Sequence, residues 1–529
     1  MDTLYLNKYI EGRTVEEAFS SCFAEAEGLH RPVKIVIPPG EYHLAALNPV
    51  RLFSELSVVA DGAEFFFPES MDNPKHRTMF AGTDISDFSW RGGRFHGHVY
   101  DVPPAIPKWR PDACSRGIAI DTSENGRTAN LRFDGIRGHD CAGGVVTVYG
   151  HSLNGIRNKA DGIIVTDCHF DRCGKFMWDY GYLWERLAFP ELFTPEERSV
   201  AERFFPMRNV SGDIRFKGDC IAVDGFPPFK PEARYPFDGV CFFGEGLPPE
   251  IQKGRAYFVV AEKDGCITVS ETPYGVPLKT TPTRSTARLF RNLFDVFHWN
   301  YAPPEQGPGK GGIDLICCRN VSVTGCSFSA NGDTMHIKES SDVVFSNNRI
   351  NGSRMGAFFI AFDCDHVTAS GNVVNGTNGS RVLTVEKGCR DVVIADNVFY
   401  NGGRGCWFNN VEGIILKGNV FRDNVLKGVP SCGRRSPFSG SFEKYPELYF
   451  AHANKGYGGI IVSENLFQAT ESNTEPTLLF QNNGNNIMVV NNIFRSGTRQ
   501  VAIAEGVSVK CDGNIGTSEI NHRQISEAL

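Results

Sequence analysis

Val343-Val344-Phe345-Ser346-Asn347-Asn348-Arg349-Ile350 and Val367-Thr368-Ala369-Ser370-Gly371-Asn372-Val373-Val374 share one pattern. Each reads apolar, any, apolar, two spacers, Asn, any, and then Phe, Ile or Val. The pattern returns around Asn397 (Val392 to Phe399), Asn419 (Ile414 to Phe421), Asn465 (Ile460 to Phe467) and Asn492 (Ile487 to Phe494). From Asn348 onward the asparagines are spaced by 24, 25, 22, 46 and 27 residues. The 46 reads as two turns with an interruption. Upstream, Cys326 before Phe328 and Cys168 before Phe170 take the same place. Short alternating β segments at such a period predict an all-β, single-stranded, right-handed parallel β-helix. Turns stack about 4.8 Å apart, so equivalent residues form ladders. The asparagines are expected to share one bend and bond along their ladder, with the Phe, Ile or Val two residues later packed inside. A leucine-rich repeat does not fit, because no Leu-x-x-Leu-x-Leu motif or helical segment recurs.

Composition narrows the functional classes. The 529 residues are 41% hydrophobic and 12% aromatic, enough for a large core. Lys and Arg number 54 against 61 Asp and Glu, a net charge of −7 that argues against nucleic acid as a partner. No apolar run reaches the ~20 residues of a membrane span. The start, Met1-Asp2-Thr3-Leu4-Tyr5-Leu6-Asn7-Lys8, has no secretory pattern, so a cytoplasmic location is expected. The 16 cysteines show no zinc spacing and read as buried free thiols. No cofactor and no metal are expected. The sequence leaves a homo-oligomer open.

The ends and interruptions set the organisation, a single β-helix domain over 1–529. Thr14 and Glu17 form a capping box for a helix to about Glu27, giving an N-terminal cap over 1–30. Helix, strand, then Ile37-Pro38-Pro39-Gly40-Glu41-Tyr42 and β turns resembles the pectate-lyase-like β-helix superfamily. One insertion is expected over 175–213, with Trp178, Tyr180, Tyr182 and Trp184 within seven residues and a helix start at Thr194-Pro195-Glu196-Glu197. A second, a small β unit, is expected over 226–301, carrying Val240 to Phe243, Ala256 to Val260 and Cys266 to Val269.

Strand alternation assigns the faces. Aligning the turns puts Ile313, Met335, Phe359 and Leu383 inward. Asp314 and His336 then share an outward ladder, and Lys338 and Glu386 the next. Ile360, Phe362, Thr384 and Phe408 are expected outward on later turns. Gly218-Asp219-Cys220-Ile221-Ala222-Val223-Asp224 aligns with Gly332 to Lys338, which places Asp219 and Asp224 on the coil one turn before Asp314. Asp224 and Asp314 would have Cα atoms about 8 Å apart, a separation at which two carboxyls can flank a glycosidic bond.

The chain also resembles polygalacturonase-type glycoside hydrolases. Their Asn-Thr-Asp-Gly-Ile-Asp, Asp-Asp and Gly-His-Gly motifs fall on Lys310-Gly311-Gly312-Ile313-Asp314, Asn331-Gly332-Asp333-Thr334 and Arg354-Met355-Gly356. Asp333 matches that family's second paired Asp, while Gly311, Gly332 and Met355 replace its other catalytic positions. The resulting expectation is a glycoside hydrolase or transglycosylase, acting from the end of an oligosaccharide. Its catalytic candidates are Asp314, Asp333, Asp224, His336 and Asp219. Its substrate-binding candidates are Trp178, Tyr180, Trp184 and Trp299 for sugar faces, with Lys338, Arg354 and Glu386 for polar groups. Two alternatives stay open. One is a polysaccharide lyase or uronate epimerase with Lys338 or His336 as base. The other is a non-catalytic, glycan-binding or tailspike-like structural protein.

Overall fold

The computed structural model of the chain is a right-handed parallel β-helix. It describes residues 1–68, 77–97, 115–141, 143–173, 189–192, 195, 209–210, 214–223, 239–253, 256–271, 275–291, 310–329, 331, 333–353, 356–376, 380–425, 445–451, 456–471, 473–495, 500–516 and 520–523. A turn carries three strands, as in Lys310–Ile316, Cys318–Thr324 and Ser327–Ser329, followed by Asp333–Lys338, Ser341–Ser346 and Arg349–Asn351. Among the described residues, the first strands of successive turns build a 13-stranded parallel sheet. The second and third strands build a 24-stranded one, joined where long bent strands such as Leu56–Phe66 run through both faces.

The repeated motif makes the corner between second and third strands. The residue before each ladder asparagine takes left-handed backbone: Asn347 (φ 56°), Gly371 (65°), Asp396 (56°), Gly418 (67°), Glu464 (58°) and Asn491 (55°). Gly, Asn and Asp tolerate that conformation best, which explains why they fill most of these positions. The asparagines themselves stack as expected. Nδ2 of Asn348, Asn372, Asn397, Asn419 and Asn465 each donates to Oδ1 of the next, at 2.8–3.0 Å, and Asn492 extends the ladder to Asn514. Each buried corner thereby pairs polar groups that would otherwise cost free energy. Two residues on, Phe399, Phe421, Phe467 and Phe494 stack with centroids 5.0–5.3 Å apart.

Three expectations are corrected. The step from Asn419 to Asn465 is one rung, not two, because Val420–Arg422 pairs directly with Leu466–Gln468. The face assignment slips at one turn: Phe358, not Phe359, is inward, and Phe359 stands in register with His336. Ile360 and Phe408 likewise pair along the inward ladder with Val385 and are fully buried. Finally, Gly218–Cys220 is not part of the coil. It joins Ile214–Phe216 to Ile221–Val223, an antiparallel hairpin in a separate sheet of eight strands among the described residues, with its own core of Phe216, Phe242, Tyr257 and Leu289. On the coil, the strand before Lys310–Ile316 is Gly144–Tyr149.

The N-terminal end is covered as its sequence predicts. Thr14 and Glu17 form the capping box of a helix over Val15–Gly28. The helix lays Phe19 and Phe23 on Phe80, while Phe19 also meets Tyr42 and Phe65. None of the 13 cysteines whose side chains are described forms a disulfide, and ten are buried.

Candidate functional site

Outward residues of the long sheet form two columns. One runs Ala119, Thr147, Asp314, His336, Phe359, Thr384, Trp407, Tyr449. The other, two residues further along each strand, runs Asp121, Tyr149, Ile316, Lys338, Ala361, Glu386, Asn409. Asp314 and His336 share a ladder one rung apart, and Lys338 and Glu386 share the neighbouring one, as the alternation implies.

The columns meet at Asp314. Its Oδ1 lies 2.7 Å from His336 Nδ1, and its Oδ2 accepts a hydrogen bond from the Tyr149 hydroxyl at 2.5 Å. Asp314 and His336 are only 3% and 4% exposed. A carboxylate accepting from Nδ1–H fixes the imidazole tautomer and puts the basic lone pair on Nε2. Phe359 sets the ring from the next rung, with centroids 5.2 Å apart. On the other side, the Arg116 guanidinium lies 5.5 Å from the centroid of the Tyr149 ring. Asp121, one rung from Tyr149, has its carboxyl pushed up by burial, an effect that Arg116 opposes. Sequence reasoning missed Tyr149, Asp121 and Arg116. Their strands precede the long excursion between Asp171 and Lys310, and only the strand pairing shows that Tyr149 and Asp314 are neighbours.

The basic and acidic candidates nearby have local partners. Lys338 lies 3.9 Å from Glu339 and over the Phe362 ring. Buried Glu386 pairs with Lys387 at 3.2 Å. Arg157 bridges Glu339 and Asp363. Further along, Arg381 lies 4.4 Å over Trp407 and donates to the Tyr449 hydroxyl at 2.9 Å, beside Tyr445. These aromatics lie four and five rungs from Asp314, and no sequence motif marked them.

Other candidates lie elsewhere. Asp219 is exposed in the hairpin of the small sheet, away from the ladder expected for it. Asp333 opens its strand opposite Lys310, and only its backbone position is described. Asp224, Trp178, Tyr180, Trp184, Trp299 and Arg354 lie outside the described residues. Among the described residues no three His, Cys, Asp or Glu side chains are placed to hold a metal, and no helix is long and apolar enough to cross a membrane. A cavity of about 590 Å³ opens at the capped end, between Glu27, His30 and Arg31 and the segment Arg51 to Glu55. It is lined by the Glu27–Arg51 ion pair and contains no residue of the Asp314 cluster.

A family model described as "Right handed beta helix region" matches residues 297–442. No curated protein matches the sequence. Among solved structures, the chain is similar to the A-module of the mannuronan C-5 epimerase AlgE6 of Azotobacter vinelandii (9% identity, TM-score 0.46, covering 97% of this chain and 98% of that one). It is similar also to an exopolygalacturonase of Thermotoga maritima (10%, TM-score 0.41, 97% and 92%). A third is the tailspike of E. coli bacteriophage HK620 (9%, TM-score 0.45, 96% and 78%). Likeness at this level speaks to neither substrate nor reaction.

Proposed function

We propose that the chain is a carbohydrate-active enzyme that hydrolyses a glycosidic bond of an oligosaccharide laid along the outward face of the long sheet. The observation that carries this reading is the buried carboxylate of Asp314, held between the Tyr149 hydroxyl and the His336 ring on the outward side of the long sheet. A strand gains little stability from burying such a polar cluster outside its apolar core, whereas acid–base chemistry needs a charge fixed in orientation.

Asp314 serves as the ionised group, acting through His336 Nε2 on the attacking water. Asp121, whose burial favours its protonated form, supplies the proton to the leaving oxygen. Two rungs and two residues separate Asp121 from Asp314, about 12 Å between Cα atoms. Side chains inclined toward each other from that distance bring the carboxyls near the ~6.5–9.5 Å used by inverting enzymes, which need room for a water. Aromatic Phe359, Trp407 and Tyr449 along the same column offer stacking faces to sugar rings.

A second reading is supported by Lys338, two residues beyond His336 on one strand. With His336 as base, Tyr149 as acid and Lys338 on a uronate carboxylate, the same cluster would catalyse β-elimination. Incubation with a panel of neutral and acidic oligosaccharides separates the two. Hydrolysis releases a new reducing end without ultraviolet absorbance, and elimination releases an unsaturated, absorbing product. Binding without turnover of any panel member would overturn both readings in favour of a binding protein. Localisation in the cytoplasm, with short oligosaccharides as substrates, belongs to the same proposal.

A further inference from the structure

A second polar cluster lies on a different face of the coil, two and three turns before Asp314. On the third-strand side, His43, Phe66, His96, His139 and Asp171 occupy one outward column. Phe66 stacks between His43 and His96, with centroids 4.8 and 4.2 Å away. His96 and His139 meet directly: Nδ1 of His96 lies 2.5 Å from Nε2 of His139. At the far side of His139, Nδ1 is 3.1 Å from Oδ2 of Asp140, a buried carboxylate that also accepts from Arg172 at 2.6 Å. At the far side of His96, Nε2 is 3.0 Å from Glu64.

Counting protons gives the state of the pair. Two hydrogen bonds run in series, His139 to Asp140 and His139 to His96. Each needs one N–H, and two neutral imidazoles supply those two N–H groups. His96 Nε2 faces Glu64 at 3.0 Å outside hydrogen-bonding geometry. Asp140 and Glu64 are the acidic groups at the two ends of the line. Arg172 offsets Asp140, Arg94 lies beside Glu64 at 3.6 Å, and Asp171 follows His139 in the column.

We infer that His96 and His139 form a latch between the early turns of the coil, closed at neutral pH and forced open in acid. Protons on both rings would place two imidazolium ions in contact, so double protonation works against the closed stack. In agreement with the geometry, burial and the neighbouring His139 push the His96 imidazole down to about 4. Its unfolded value is near 6.5. The folded state thus binds fewer protons than the unfolded one between those values, and stability is lost as pH falls from about 6.5 toward 4.

The test combines a titration and a variant. Carbon-13 labelling at the histidine ε1 position follows ring protonation in the intact wild type. One ring of this pair should stay neutral to well below pH 5, and two rings titrating independently near 6.5 would overturn the latch. Hydrogen exchange within Ser86–His96 and Arg137–His139, corrected for intrinsic rates, should show opening rise about tenfold from pH 7 to pH 5. In His96→Phe, which keeps the stack on Phe66, that pH dependence should disappear. An unchanged pH dependence in the variant would contradict the inference. Should the variant not fold, the wild-type titration decides alone.

Discussion

Asp314 and Glu447 show how differently a buried carboxylate can be used. Asp314 is held by a tyrosine and an imidazole, two groups that can exchange protons. Glu447 accepts from Asn424 N, Thr470 N and the Asn473 amide, with the Thr470 hydroxyl beside it. Tyr149→Phe should lower kcat about tenfold or more and also cost about 1–3 kcal/mol in urea unfolding, because it removes a donor to a buried charged group without opening a cavity. Glu447→Gln should cost about as much in urea unfolding with no specific effect on kcat, since its NH2 would face an N–H it cannot pair with. Alternation of the strand made the Asp314–His336 pair legible in sequence. Tyr149 was not legible, because 165 residues separate it from Asp314.

At the level of the element, the asparagine corner explains both what the sequence could show and where it misled. Spacing of the asparagines located the corner, because only the corner repeats a fixed chemistry. Spacing did not locate Phe359. The corner step from Asn348 to Asn372 is 24 residues, yet His336 and Phe359, 23 apart, are partners. The extra residue enters after the strand, where Phe362 and Asp363 both take left-handed backbone at φ 53° and 57°. Corner counts therefore do not fix the register of the neighbouring face. The Gly218–Asp224 echo misled for a related reason. A short Gly-Asp-x-apolar strand has no mark of parallel or antiparallel partners, and Ile221–Val223 found antiparallel ones. Asn397→Ala would leave the Asn372 donors and the Ala369 and Ala395 carbonyls without their partner. A loss of about 2–4 kcal/mol in urea unfolding is expected, larger than for alanine at exposed Met488.

Across the whole molecule, the coil acts as a ruler that sets distances between outward side chains by rung number. Trp407 stands four rungs from Asp314, about 19 Å at 4.8 Å per rung. If the oligosaccharide follows the column, Trp407→Ala should raise KM about tenfold with a smaller change in kcat, read from initial rates on long and short substrates. The effect should vanish on substrates too short to span that distance. The ends of the ruler are fixed by other means. Phe19→Ala should cost about 3–5 kcal/mol and expose the first turns to hydrogen exchange before the later ones, since it empties the contact between the cap and Phe80.

The central claim is that chemistry occurs at the Tyr149–Asp314–His336 cluster of the long sheet. Its most direct test is turnover of an oligosaccharide panel by the wild type and by Asp314→Asn, with the melting temperature of both recorded. The account predicts release of new reducing ends by the wild type, and at least a ~10²-fold lower kcat in the variant at nearly unchanged stability. Equal turnover by the two proteins would contradict it and place the reaction elsewhere on the chain.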